Sequence, residues 1–133
     1  MTHACKLIPA PCILLWAARD GFNKIVLSAI EEGADIEACG CDTYNPIALA
    51  VYEGHKRTVE ILIAHGADPH VLVEKGATLL ILSAIKGHTE IGEYLISLGV
   101  PIEVVDGDGD SAMSVAKKFG HEKFIAMLQK YRK

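Results

Sequence analysis

Apolar residues along this chain come in short periodic runs, none of them long enough to span a membrane. The clearest cycle lies between Asn45 and Gly66. Asn45-Pro-Ile-Ala-Leu-Ala-Val-Tyr-Glu53 opens with a capping residue and a proline at the first helical position, and it predicts a helix. Leu49 and Ala50 make that helix small and apolar, an inner element. Gly54-His55 interrupts it. Val59, Ile61, Leu62 and Ile63 mark a second helix, which ends near Gly66 because glycine readily closes a helix C-terminus. Thr78 and Ser111 are the matching caps further along, and Cys12 stands in the same place near the start as a poor one.

The cycle recurs at a shift of 33 residues. Gly21, Gly54, Gly87 and Gly120 then coincide, as do Gly33, Gly66 and Gly99. His55, His88 and His121 coincide too, with Phe22 in the first copy. A fixed period of this length signifies stacked supersecondary units, and four of them fill the chain. The expected organisation is a single domain over residues 1–133, with repeats at roughly 7–39, 40–72, 73–105 and 106–133. In such arrays each unit contacts only its neighbours, so Leu49 and Leu82 are expected in the interior.

The detailed pattern resembles the ankyrin-repeat family. That unit is a β-turn followed by two antiparallel helices. The residues that carry the resemblance are Gly54-His55, Gly87-His-Thr-Glu-Ile91, Ala64-His-Gly-Ala-Asp68, Gly33-Ala-Asp-Ile-Glu-Ala38 and Asp106-Gly-Asp-Gly109-Asp-Ser111. The resemblance implies an all-α ankyrin-repeat solenoid of helix-turn-helix units with short β-turn or hairpin connections. It also implies that His55, His88 and His121 bond main chain between neighbouring turns. Departures occur. Leu15, Ala48, Ile81 and Ser114 replace the family's helix histidine, and only Pro46 keeps its proline. Residues 7–11, Leu-Ile-Pro-Ala-Pro, stand where a turn should be, so the first copy is expected to be an irregular N-terminal cap. The last copy stops after its second helix, and Gln129, Lys130, Arg132 and Lys133 suit an uncovered outer face.

Charge adds a direction. Residues 117–133 carry six cations against Glu122, a net of +5, which leaves −9 on the rest of a chain whose net charge is −4. The acidic body favours a basic partner surface and speaks against general nucleic-acid binding. Lys6 and residues 7–18 have the look of a signal-peptide core, but two prolines interrupt it, so no cleavage is expected and the location expected is cytoplasmic. Cys5, Cys12, Cys39 and Cys41 show neither a CxxC pair nor zinc-finger spacing and are expected to be reduced thiols.

Two constellations imitate metal sites. In Val104-Val-Asp-Gly-Asp-Gly-Asp-Ser111, the aspartates 106, 108 and 110 are spaced like the start of a calcium loop. Such a loop needs Gly at its sixth position and Glu at its twelfth, where this chain has Ser111 and Lys117. A turn is therefore expected, with Gly109 in the family's glycine position. The three repeated histidines are separated by about 10 Å per unit, the packing distance of helices, whereas zinc holds nitrogen at about 2 Å. No metal and no cofactor is expected. Catalysis is not expected either, since no nucleophile–base set appears and Gly107 and Gly109 open no nucleotide-binding motif.

The remaining candidate chemistry is a binding surface. In the ankyrin family, variable positions on the turn tips and inner helices contact partners along a concave groove. Matched residue by residue they are Cys41, Asp42, Tyr44, Tyr52 and Glu53, then Glu74, Lys75, Ala77, Ile85 and Lys86, then Gly107, Asp108, Asp110, Lys118 and Phe119, with Arg19 and Asp20 in the first copy. Tyr44, Tyr52, Ile85 and Phe119 form a candidate apolar ladder; the alternative is that Tyr52 and Phe119 pack on neighbouring helices. The expected function is a non-catalytic protein–protein interaction module whose partner has a basic, partly apolar segment. Two alternatives are a self-associating structural protein, suggested by Ile8, Ile13, Leu14, Leu15 and Trp16, and a small effector that blocks an enzyme.

Overall fold

The computed structural model describes residues 10–37 and 44–131, which form eight α-helices and no β-strand. The helices pair as the 33-residue cycle predicts. In residues 1–68 they are α1 (Ala10–Asp20), α2 (Asn23–Glu31), α3 (Pro46–Glu53) and α4 (Lys56–Ala64). In residues 69–133 they are α5 (Leu79–Lys86), α6 (Thr89–Ser97), α7 (Ala112–Phe119) and α8 (Glu122–Tyr131). A single 3₁₀ turn, Glu74–Gly76, and an isolated antiparallel bridge between Leu72 and Thr78 shape the connection ahead of α5. Within each of these compact units the first helices of successive repeats pack together, as do the second helices: α1 on α3 and α2 on α4, α5 on α7 and α6 on α8.

The caps behave as read. Asn45 Oδ1 accepts from the Ala48 amide at 3.1 Å, Thr78 Oγ1 from Ile81 at 3.2 Å and Ser111 Oγ from Ser114 at 3.2 Å. Each satisfies an amide that a helix start leaves without a partner. The first copy departs. Helix α1 already begins at Ala10, so Pro11 and Cys12 lie inside its first turn and Cys12 is not its cap; residues 7–9 lie outside the described residues. Proline is tolerated at that point because a first-turn amide has no helical acceptor.

The core is aliphatic. Leu14, Ala17, Val26, Ile47, Val51, Val59 and Leu62 are fully buried in residues 1–68; Leu79, Leu80, Leu95, Phe124 and Leu128 are so in residues 69–133. Leu82 is 1% exposed, as expected. Leu49, at the same register position, is only half-buried, which corrects the sequence expectation. On α5 every residue from Leu79 to Ala84 is buried, so that helix is covered around its circumference. On α3 the buried set is Pro46, Ile47, Ala48, Ala50 and Val51, and Leu49 falls on the remaining side.

Two close approaches need glycine. The first joins successive repeats. His55 Nε2 donates to the Arg19 carbonyl at 2.9 Å, and His121 Nε2 donates to the Ile85 carbonyl at 3.0 Å. This is the main-chain role that the resemblance implied for both histidines. Each imidazole lies over a glycine in the left-handed region, Gly21 at φ +76 and Gly87 at φ +74. A Cβ on either would stand 2.7 Å from the ring nitrogen Nδ1. The second joins α6 to α8. Gly92 is buried against Phe124, and a Cβ there would lie 2.7 Å from the ring. At the end of the chain, Tyr131 donates to Glu93 at 2.8 Å and Lys130 reaches the same carboxylate at 3.7 Å, so α8 is tied to α6 at its exposed rim.

Candidate functional site

The predicted surface residues fall into two clusters, one in each compact unit. In residues 1–68, Tyr44 just ahead of α3 and Tyr52 near its end meet edge-to-face, with ring centroids 6.1 Å apart at 90°. Both are half-buried. Glu53 is exposed at the end of the same helix, and its charge acts on Arg19. Arg19 pairs with Asp20 at 3.1 Å; the hydrogen bond to Asp20 is the main reason the guanidinium is held above its ordinary pKa. Asp42 and Cys41 lie outside the described residues.

In residues 69–133, a tip is built from two turns. Asp106 Oδ1 accepts the amides of Asp108 at 2.9 Å and Asp110 at 3.0 Å, and the Asp106 amide donates to the Asp110 carbonyl at 3.0 Å. Gly109 completes the turn at φ +82. The Gly107 amide donates to the Lys75 carbonyl at 2.6 Å, which locks this turn to the one before α5, where Lys75 itself adopts φ +63. Each outer carboxylate has a lysine: Lys75 Nζ stands 3.3 Å from Asp108, and Lys118 Nζ 2.8 Å from Asp110. Donors from Lys118 and Ser114 hold the Asp110 carboxyl below its usual pKa, and Asp110 in turn raises that of Lys118.

So Asp106 spends its carboxylate on its own turn, and Asp108 and Asp110 face cations. That is the arrangement of a self-templated turn. Among the described residues no group of three or more His, Cys, Asp or Glu side chains is placed to hold a metal ion. Millimolar Ca²⁺ is expected to leave the unfolding midpoint unchanged in differential scanning calorimetry. A specific site would add about 2.7 kcal/mol at a hundredfold excess over its dissociation constant, and a rise of several degrees would refute the turn assignment.

Phe119 ends α7 with 55% of its surface exposed. It does not pack into a neighbouring helix; it stacks on His121, with centroids 6.2 Å apart at 26°. Since His121 holds the Ile85 carbonyl, the chain Ile85–His121–Phe119 fixes the ring's position. Ile85 is half-buried and Lys86 exposed. Ala77 is only 7% exposed, too covered to serve as a contact residue, and the side chain of Glu74 lies outside the described part. Two residues that sequence reasoning did not select are more prominent than several it did. Leu72 is 61% exposed and Val105 53%, one period apart on the connections leading to the two turns. The 33-residue register shows them as a repeated apolar pair, but Ala67 and Val100, also one period apart outside any helix, are buried, so spacing alone does not tell which pair is exposed.

A family model described as ankyrin repeats (3 copies) matches residues 9–73. The chain belongs to the ankyrin-repeat family. Proteins similar to it include Protein phosphatase 1 regulatory subunit 27 of Mus musculus, 38% identical over 74 residues, which cover 52% of this chain and 48% of that protein. Ankyrin repeat and KH domain-containing protein mask-1 of Caenorhabditis elegans is 31% identical over 84 residues, 62% of this chain and 3% of that protein. The Transient receptor potential cation channel subfamily A member 1 homolog of Caenorhabditis elegans is 31% identical over 109 residues, 80% of this chain and 9% of that protein. This ankyrin chain thus spans less than half the length of each. Ankyrin repeats generally mediate protein–protein interaction and are generally non-catalytic. No helix among the described residues is long and apolar enough to cross a membrane.

Proposed function

We propose that this chain is a non-catalytic module that binds a partner protein through its turn tips and inner helices, with no cofactor. The observation that carries the reading is Phe119. A large aromatic, more than half exposed, is stacked on His121 and follows Lys118, whose ammonium pairs with Asp110. Rigid aromatics with a charged rim are what interface hot spots tend to be, because little side-chain freedom is lost when they are buried. Tyr44 and Tyr52 offer a second aromatic anchor, beside Glu53 and Arg19. Since Asp108 and Asp110 already face lysines, they contribute shape and hydrogen bonding more than attraction. The pull toward a basic, partly apolar segment comes from the net −9 on residues 1–116. A cytoplasmic location belongs to the same proposal.

A second reading is an effector that acts on an enzyme. It is favoured by the likeness to a protein named as a phosphatase regulatory subunit. Both readings predict that Tyr52→Ala and Phe119→Ala each weaken the partner by at least about 1 kcal/mol, mainly through faster dissociation. Surface-plasmon kinetics on a partner recovered by pull-down measures this. If both variants bind like the wild type while Glu60→Arg with Glu93→Arg on the second helices abolishes binding, the surface is wrongly assigned.

A further inference from the structure

We infer that the outward face of the first helical pair is a self-association surface on which a second copy of this chain packs. Trp16 is 44% exposed, Phe22 45%, and Ile13 and Ile25 36% each. They form one patch, centred on an edge contact of Trp16 with Phe22, whose rings lie 5.3 Å apart at 60°. Of the residues that the sequence suggested for self-association, Leu14 and Leu15 turn inward and are buried, whereas Ile13 and Trp16 stay out.

The register explains what kind of face this is. One period on from Ile13, Trp16, Phe22 and Ile25 stand Pro46, Leu49, His55 and Thr58. Three periods on stand Ala112, Val115, His121 and Phe124. In those repeats several of these positions lie against the repeat before: His55 and His121 bond its main chain, Thr58 donates to Asn23, and Phe124 packs on Gly92. The patch therefore has the register of a repeat-stacking face, and among the described residues its large apolar side chains are exposed.

Phe22 decides what covers it. At its position His55 and His121 donate to a main-chain carbonyl supplied by the preceding repeat. A repeat stacked in line on the first helical pair would bring such a carbonyl to Phe22, which has nothing to donate. Burying an unmatched carbonyl is unfavourable by about 1–3 kcal/mol. The face suits an apolar surface that brings no such group, and among the described residues the helical patch built from several large apolar side chains is the face itself. A two-fold contact of the patch with its copy is self-complementary by symmetry. With one helical pair per side, the dimer should be weak and concentration-dependent.

Sedimentation velocity from about 1 µM to 1 mM tests this across the affinity range of weak contacts. The wild-type mass is expected to rise toward twice the monomer value. Trp16 is the sole tryptophan, so its emission reports on the patch directly and should shift to the red on dilution. Ile25→Asp should weaken association by at least about tenfold, because the change enters both halves of the contact. Phe22→His installs the residue that the later repeats carry and should weaken it by at least about threefold. Circular dichroism checks helicity, and if Ile25→Asp loses it, Phe22→His decides. Tyr52→Ala, on the partner-binding surface, should leave the mass unchanged, which keeps this test separate from the proposed function. A wild-type protein that stays monomeric throughout overturns the inference. So does a dimer that persists in the folded patch variants with constant Trp16 emission.

Discussion

Replacing Phe124 by alanine is expected to lower the stability of the protein by about 3–5 kcal/mol, the range for truncating a buried phenylalanine. The ring is fully buried between α8 and α6 and occupies the space that Gly92 leaves open. Large-to-small changes are worst where the surroundings cannot collapse into the void. Here the facing residue has no side chain to offer, so the upper part of the range applies. One period earlier the position of Gly92 is Val59, and that of Phe124 is Ile91, itself buried. The last two repeats have therefore exchanged bulk across a boundary. Gly92→Val alone should overpack the site and destabilise by about 1–3 kcal/mol. Combined with Phe124→Ala, its effect should shrink or change sign. Urea unfolding of the two single variants and the double variant gives the coupling. Additivity within about 0.5 kcal/mol would mean that the two residues do not share the space, and would refute this account.

Leu82→Ala should destabilise by about 2–5 kcal/mol on the same physical grounds. Leu82 sits on α5, whose every side is covered. Leu49→Ala, at the equivalent position of α3, should cost clearly less, since Leu49 is only partly buried. Asp108→Ala is the control. Its pair with Lys75 is exposed on both sides, and exposed pairs contribute little. A change within about 0.5 kcal/mol is expected. If Leu49→Ala proved as damaging as Leu82→Ala, the distinction between the two helices would be refuted; if Asp108→Ala matched either, the turn would carry stability assigned here to the core.

Much of the fold was legible because its signals are local and repeated. Asn45, Thr78 and Ser111 announce helix starts through chemistry confined to one turn, and all three cap as read. The Gly-His pairs were visible at a fixed spacing, and two of the histidines make the main-chain bond expected of them. The first copy was read less well. Cys12 was read as a poor cap of its first helix, yet that helix begins at Ala10, because proline in a first turn costs nothing that a helix start has not already lost. Leu49 was misread because composition gives a helix's apolarity but not which of its sides a neighbour covers. Among the surface residues, the Tyr44–Tyr52 contact and the stack of Phe119 on His121 depend on side-chain directions that no spacing rule supplies. The lysine partners of Asp108 and Asp110 belong to the same class. Lys75 lies a full period from Asp108, and only the folded turn brings them together.

The glycine beneath each bonded histidine bears on how such a chain can be lengthened or recombined. Gly21 and His55, like Gly87 and His121, belong to consecutive repeats, and neither member of a pair is freely replaceable: a side chain on the glycine would strike the imidazole. Insertion or deletion of one whole 33-residue module recreates the pairing between whichever neighbours result, because every module brings a glycine for the module after it. A module that opens with Phe22 in place of histidine does not fit that scheme and cannot be transplanted into the middle of an array without loss. For anyone building chimeras from this protein, the glycine–histidine seam carries over between modules, the last module also needs a glycine at the position of Gly92 to admit Phe124, and a graft that inserts only part of a module will break the seam it creates.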